Sequence, residues 1–362
     1  MHMADALLSP AVATTMYAAS AIAAGTSIVK VNKEKDSIKI PTMAVTAALV
    51  FAGQMINYTI PGTGSSGHIC GGMLLTSLLG PQAGFLSMIV ILAIQCLFFA
   101  DGGLLALGAN VWNMAFYGCF VGYYLIWKPI MKSKMSSKLK LILAPILGCV
   151  LTLQLGAFSV VLETSLSGIT DLPFGTFVAI MQPIHLAIGL VEGLVTSAIL
   201  LFISEARPEL IKDFKPQIAW NCADGAEKAK SEGKLSFKST IAVLAVVAIV
   251  IGGGFSLLAS GNPDGLEWSL FGNTESGYSQ NMGLDEDDYG VQSDAADKAQ
   301  GIQDKLAFLP DYAFKNSDSV AGTTTSGLVG IAIVAAIIVV VSFIPKLIKK
   351  KEVNEQGDQQ GK

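Results

Sequence analysis

The chain has 362 residues, of which 52% are hydrophobic and only 14% charged, with a net charge of −4 and a mean hydropathy of +0.55. Soluble domains carry about 25% charged residues, so a water-soluble globule is excluded and an all-α polytopic membrane protein is expected. The five cysteines (Cys70, Cys96, Cys119, Cys149 and Cys222) have no CxxC spacing, which argues against a disulfide framework and for small buried hydrophobes.

The start, MHMADALLSP, has His2 and Asp5 where a secretory signal would carry basic residues; the first lysine is Lys30. If the amino group is free, a His at position 2 offers a chelate. The Met1 amine, the His2 backbone nitrogen and the His2 imidazole close fused five- and six-membered rings around one ion. A fourth nitrogen, from His68, would complete a square plane, which suits Ni(II), Cu(II) or low-spin Co(II). Such binding releases protons, so affinity should rise with pH. The bland alternative is an ordinary start with His2 in solvent.

About 20 apolar residues cross a bilayer as a helix. On that basis spans are predicted at 10–29, 40–57, 67–80, 82–100, 104–127, 139–162, 174–204, 239–259 and 326–345. The weakest is 67–80, HICGGMLLTSLLGP, which reaches only about 21 Å; it is kept as a short crossing. Short, glycine-interrupted segments are pointers to transporter binding sites, which draws attention to His68. Asp101, in FFADGG, is expected to cap or turn the end of its helix. Asn110 and Asn113 share one helix face in LGANVWNM. Gln182, His185, Gly189 and Glu192 share another; a structural polar seam and a transport pathway both fit each of these faces. Glycines 189 and 193 should let a neighbouring helix approach closely.

The loops at 30–39, 128–140 and 205–238 and the tail from Lys346 hold 21 of the 24 basic residues. Cytoplasmic loops are enriched in Lys and Arg. The alternation therefore predicts nine crossings, with the N-terminus outside and the C-terminus cytoplasmic. Residues 260–325 carry twelve Asp and Glu, including DEDD at 285–288, and only three Lys. A solvated, partly disordered outer loop is expected there, with loose attraction of cations as a second role.

Catalytic patterns are absent. GxxxxGK[ST], HExxH and GxSxG do not occur, and no basic patch with interleaved aromatics invites nucleic acid.

Four stretches in order, MHMADALLSP, SSGHICGGMLLTSLLGP, LFFADGGLLALGANVWNM and QPIHLAIGLVEGLVT followed by RPEL, resemble the CbiM/NikM family over roughly residues 1–210. NPDGLEW at 262–268, flanked by one span on each side, is similar to a fused CbiN/NikN partner or PDGLE-type module. The resemblance implies the substrate-binding component of an energy-coupling-factor (ECF) transporter for Co2+ or Ni2+ in the cell membrane. It implies a seven-helix body with an inward-tucked N-terminus and two further C-terminal helices. By motif it assigns metal ligands to Met1, His2 and His68, and no ligand role to Asp101, Asn110, His185 or Glu192. It also implies a separate transmembrane coupling (T) subunit and a pair of cytoplasmic ATPases, since this chain has no nucleotide motif. The expected division is a metal-binding domain at 1–210, a basic linker at 211–238, a two-span module at 239–345 around the acidic loop, and a tail at 346–362. Rival readings are a binding component for an organic micronutrient, a scaffold, and a membrane metalloenzyme using His68, His185 and Glu192. The expected difference in depth between His68 and His185 argues against the last.

Overall fold

In this computed structural model the structure describes residues 2–34, 38–168, 173–215, 233–273, 290, 293–315, 317 and 319–360. The apolar runs become helices because a chain in hydrocarbon must satisfy its own backbone. They are α1 (Pro10–Val31), α2 (Lys39–Gln54), α3 (Gly72–Leu79) and α4 (Pro81–Phe99), then α5 (Leu107–Asn110) and α6 (Lys128–Lys132), α7 (Ser137–Leu166) and α8 (Phe174–Ala206). Between α5 and α6, Val111–Trp127 continues the rod with the wider i→i+5 turn; the Lys128 N–H donates to the Tyr123 carbonyl. Counting that rod once, the described body has seven. Helix starts follow local chemistry: Ser9, Ser136 and Ser236 each cap a first turn, and Pro10 and Pro81 sit where no donor is needed.

Six helices are long and apolar enough to cross a membrane among the described residues: α1, α4, α7, α8, Phe237–Leu258 and Ala321–Ser342. The predicted span at 67–80 is different in kind. Its first residues are not helical, and only the eight residues of α3 are, about 12 Å of rise. All eight are buried. Such a short piece survives because α2, α4 and the Val111–Trp127 segment enclose it. The contact is close: a Cβ on Gly72 would lie 3.0 Å from the Gly118 Cα. Gly80, at φ 79°, makes the turn into α4. The expected role of Gly189 and Gly193 also holds, since added Cβ atoms would meet the backbone of Val150 and Ile146 on α7 at 2.9 and 2.5 Å.

Basic loops gather at one end of the bundle. The Lys212 N–H donates to the Ser77 carbonyl (2.8 Å), Trp127 Nε1 to the Lys212 carbonyl (3.0 Å), and Lys140 Nζ to the Met131 carbonyl (3.0 Å). The opposite end carries the N-terminal segment and a two-stranded hairpin, β1 (Tyr58–Ile60) paired antiparallel with β2 (Ser65–Gly67).

The C-terminal helices α9 (Phe237–Gly253) and α12 (Val320–Gln360) pack mainly against α2. Between them the chain departs from expectation. Its described portions are not a solvated loop: α10 (Gly265–Phe271) and α11 (Asp294–Leu306) fold over the hairpin end of the body. There they find partners for their polar groups, as when Gln303 Nε2 donates to the carbonyls of Cys96 (2.9 Å) and Gly102 (2.7 Å). DEDD at 285–288 and Cys222 lie outside the described residues.

Candidate metal site

The N-terminal segment runs inward. Met3, Leu7 and Leu8 are fully or almost fully buried. Buried backbone groups must be paired, and Asn110 supplies the partners: the Met3 N–H donates to Asn110 Oδ1 (2.8 Å) and Asn110 Nδ2 donates to the Met3 carbonyl (3.1 Å). The Gly103 N–H adds a bond to the same carbonyl (2.9 Å), and the Ala106 N–H donates to Asp5 Oδ1 (3.0 Å). Asn110 thus acts as a short strand edge, a role open to an amide because it both donates and accepts.

These clamps place His2. Its Nδ1 lies 3.0 Å from Asp101 Oδ1, and its side chain is 7% exposed. The carboxylate accepts, so Nδ1 carries the proton and Nε2 the lone pair. Nε2 is buried with no hydrogen-bond partner among the described residues, an arrangement that costs about 1–3 kcal/mol unless a ligand answers it. Burial pushes the His2 imidazole below its ordinary value, with Asp101 opposing. Burial thus favours the neutral ring, the form a metal ligand needs. As expected, Asp101 lies in the turn that ends α4, its N–H donating to the Gln95 carbonyl (3.0 Å) between Ala100 (φ 55°) and Gly102 (φ 81°), and its carboxylate meets His2.

His68 follows β2 and stacks on His2, ring centroids 5.3 Å apart and planes 20° apart. Its Nδ1 donates to the Ile69 carbonyl (3.0 Å), which again leaves the lone pair on Nε2. Behind it, Glu192 accepts the N–H groups of Cys70 (2.6 Å) and Gly71 (2.9 Å). Glu192 therefore braces the turn from His68 into α3. Asn113, the partner of Asn110 on its helix face, donates to Glu163 (2.7 Å).

His2 and His68 line a cavity of about 360 Å³ that also exposes Asp101, Asp264, Glu267 and Asp311; among the described residues no Lys or Arg lines it. A second space of about 10 Å³, room for one water-sized body, lies beyond His68 and is lined by Cys70, Met114, His185 and Asp264. His185 thus lies beside His68, against the difference in depth expected for mid-α8. It donates from Nδ1 to the Met181 carbonyl (2.8 Å), while Nε2 is unpartnered among the described residues. Among those residues no three His, Cys, Asp or Glu side chains converge as a ready metal cage. A site here needs backbone or terminal nitrogen as well. Met1 lies outside the described residues.

Asp264 and Tyr312 are among the lining residues that escaped the sequence analysis. Asp264 was hidden by its motif, since D-x-x-E before an apolar run reads as a helix cap. Tyr312, whose hydroxyl donates to Asp101 Oδ2 at 2.6 Å, lies in a loop with no sequence signal.

Residues 2–210 match the family model described as "Cobalt uptake substrate-specific transmembrane region", CbiM. The chain belongs to the CbiM family. Residues 238–347 match the PDGLE domain, so CbiM and PDGLE regions share one chain and meet at the cavity. A fused NikMN protein of Archaeoglobus fulgidus is 33% identical over 339 residues, 93% of this chain and 96% of that one. The "Fused nickel transport protein NikMN" of Rhodobacter capsulatus is 30% identical over 223 residues, 58% of this chain and 64% of its own. A solved structure, a truncated transition metal transporter, is 32% identical with a TM-score of 0.51, covering 57% of this chain and 99% of that one.

Proposed function

We propose that this CbiM-family chain is the substrate-binding component of an ECF transporter and takes up Co2+ or Ni2+ with high affinity across the cell membrane. The observation that carries the reading is the buried, stacked His2–His68 pair on the wall of an acid-lined cavity. The family description names cobalt, and the name of a relative names nickel.

The ion enters from the hairpin end, which faces outside, while the basic end faces the cytoplasm. It is held by the Met1 amine, the His2 backbone nitrogen, the His2 imidazole and His68. Closing the six-membered ring uses Nδ1, the nitrogen now on Asp101, so loading turns the imidazole from the carboxylate to the ion. A plane of four nitrogens rejects Mg(II) and Ca(II), which take oxygen-rich octahedral or larger shells. Copper binds most tightly in the usual order, so its exclusion depends on constrained geometry or on availability. Energy comes from partners, a T subunit and an ATPase pair, because the sequence has no nucleotide motif.

The test compares protein with its native start against protein extended by two residues ahead of Met1, and against His68→Ala. Nickel and cobalt content and dissociation constants are measured for each. The expected result is near one ion per chain in the native form, lost on extension and in His68→Ala. Unchanged binding after extension would sink the N-terminal chelate.

A further inference from the structure

The PDGLE motif contributes a carboxylate whose local role does not require one. Asp264 Oδ1 accepts the N–H groups of Leu266 (2.7 Å) and Glu267 (2.9 Å), and Glu267 Oε2 accepts the Asp264 N–H (3.0 Å). This is a complete capping box for α10. Asn or Ser caps a helix about as well as Asp, so capping by itself does not call for a charge.

Its position does. The two residues ahead of Asp264 bind the hairpin that carries His68: the Ser66 N–H donates to the Pro263 carbonyl (2.8 Å) and Ser66 Oγ to the Asn262 carbonyl (2.8 Å). The residue behind it presses on α8, where a Cβ on Gly265 would come within 2.7 Å of Ile184 Cγ2 and 3.2 Å of His185 Cε1. Held from both sides, Asp264 borders the 360 Å³ cavity with His2 and His68, and also the small pocket with His68 and His185. The inner pocket is also bordered by His185, whose Nε2 is buried without a partner among the described residues. A carboxylate bordering both spaces, beside His2 and His68 in one and His68 and His185 in the other, marks a place for a cation.

A dication held by nitrogen donors alone also needs charge compensation. One deprotonated backbone nitrogen cancels only half of its charge, and an uncompensated buried charge is costly. We propose that Asp264 is a residue of the metal site, its carboxylate serving as the counter-charge to a bound divalent transition-metal ion where the cavity meets the inner pocket. The inference rests on the metal-uptake reading above and adds to it a residue from the far end of the chain.

The test uses the full chain with its native start. Asp264→Asn keeps the cap and removes the charge, and Asp264→Ser does the same with a smaller side chain. Dissociation constants for nickel and cobalt are measured beside the thermal midpoint in detergent and the visible absorption band of bound nickel. Both variants are expected to melt within a degree or two of the wild type, to bind about 10-fold more weakly or worse, and to show a shifted band. Wild-type affinity in Asp264→Asn would overturn the inference and leave Asp264 as a helix cap. So would weaker binding that appears only together with a lowered midpoint in both variants. Absence of binding by the wild type would instead count against the metal-uptake reading, which keeps the two failures apart.

Discussion

Asn110 shows how one side chain can decide whether a site exists. The sequence placed it on a helix face with two readings open; in the structure it pairs both backbone groups of Met3 and so fixes the residue that follows His2. Asn110→Asp keeps the acceptor, loses the donor and sets a carboxylate against the Met3 carbonyl. The expected outcome is a local loss of about 1–3 kcal/mol, read as faster amide exchange over residues 2–8 and a higher nickel dissociation constant. Unchanged protection there would show that Leu7 and Leu8 hold the segment without the clamp. Asp101 and Glu192 carry the same lesson. Both are acidic residues near the metal-ligand candidates, yet one holds an imidazole and the other two backbone N–H groups. Their type was legible and their partners were not.

Among the elements, α3 departs most from what an apolar run suggests. A lone eight-residue helix is unstable in water and too short to cross a membrane. Here it is buried on all sides, and the seam between Gly72 and Gly118 lets it sit directly on the Val111–Trp127 segment. That contact makes a test of the packing. In Gly118→Ala the new Cβ would lie 2.9 Å from the Gly72 Cα, so the helices must separate. A cost of about 1–3 kcal/mol is expected for this overpacking, seen as a lower thermal midpoint in detergent. Because α3 begins four residues after His68, metal affinity should fall with it. A variant as stable as the wild type would show that the rod can shift without strain. The folded region around α10 and α11 belongs to this scale too. Its acidic composition predicted solvation, but Gln303 and Tyr312 are spent on the loop that carries Asp101.

At the scale of the whole molecule, charge and site are segregated to opposite ends of the bundle. If the basic end is cytoplasmic, Lys134→Cys should react with a membrane-impermeant maleimide only after permeabilisation. Lys298→Cys should react in intact cells; both are made in a Cys222→Ser background, and both positions are exposed. The reverse pattern would invert the transport direction proposed here. The sequence alone determined the membrane class, nearly all the helices, the alternation of basic loops and the family, through His2, His68 and the motifs around them. It could do so because each span satisfies its own hydrogen bonds and reads as a local apolar run. Tertiary structure decided what local patterns cannot encode: that His2 faces Asp101, that α3 is a buried fragment, and that His185 lies beside His68. It also brought a motif 196 residues beyond Ser66 onto the hairpin that presents His68. Those outcomes depend on which helices become neighbours, and that is settled by packing and pairing across the whole bundle.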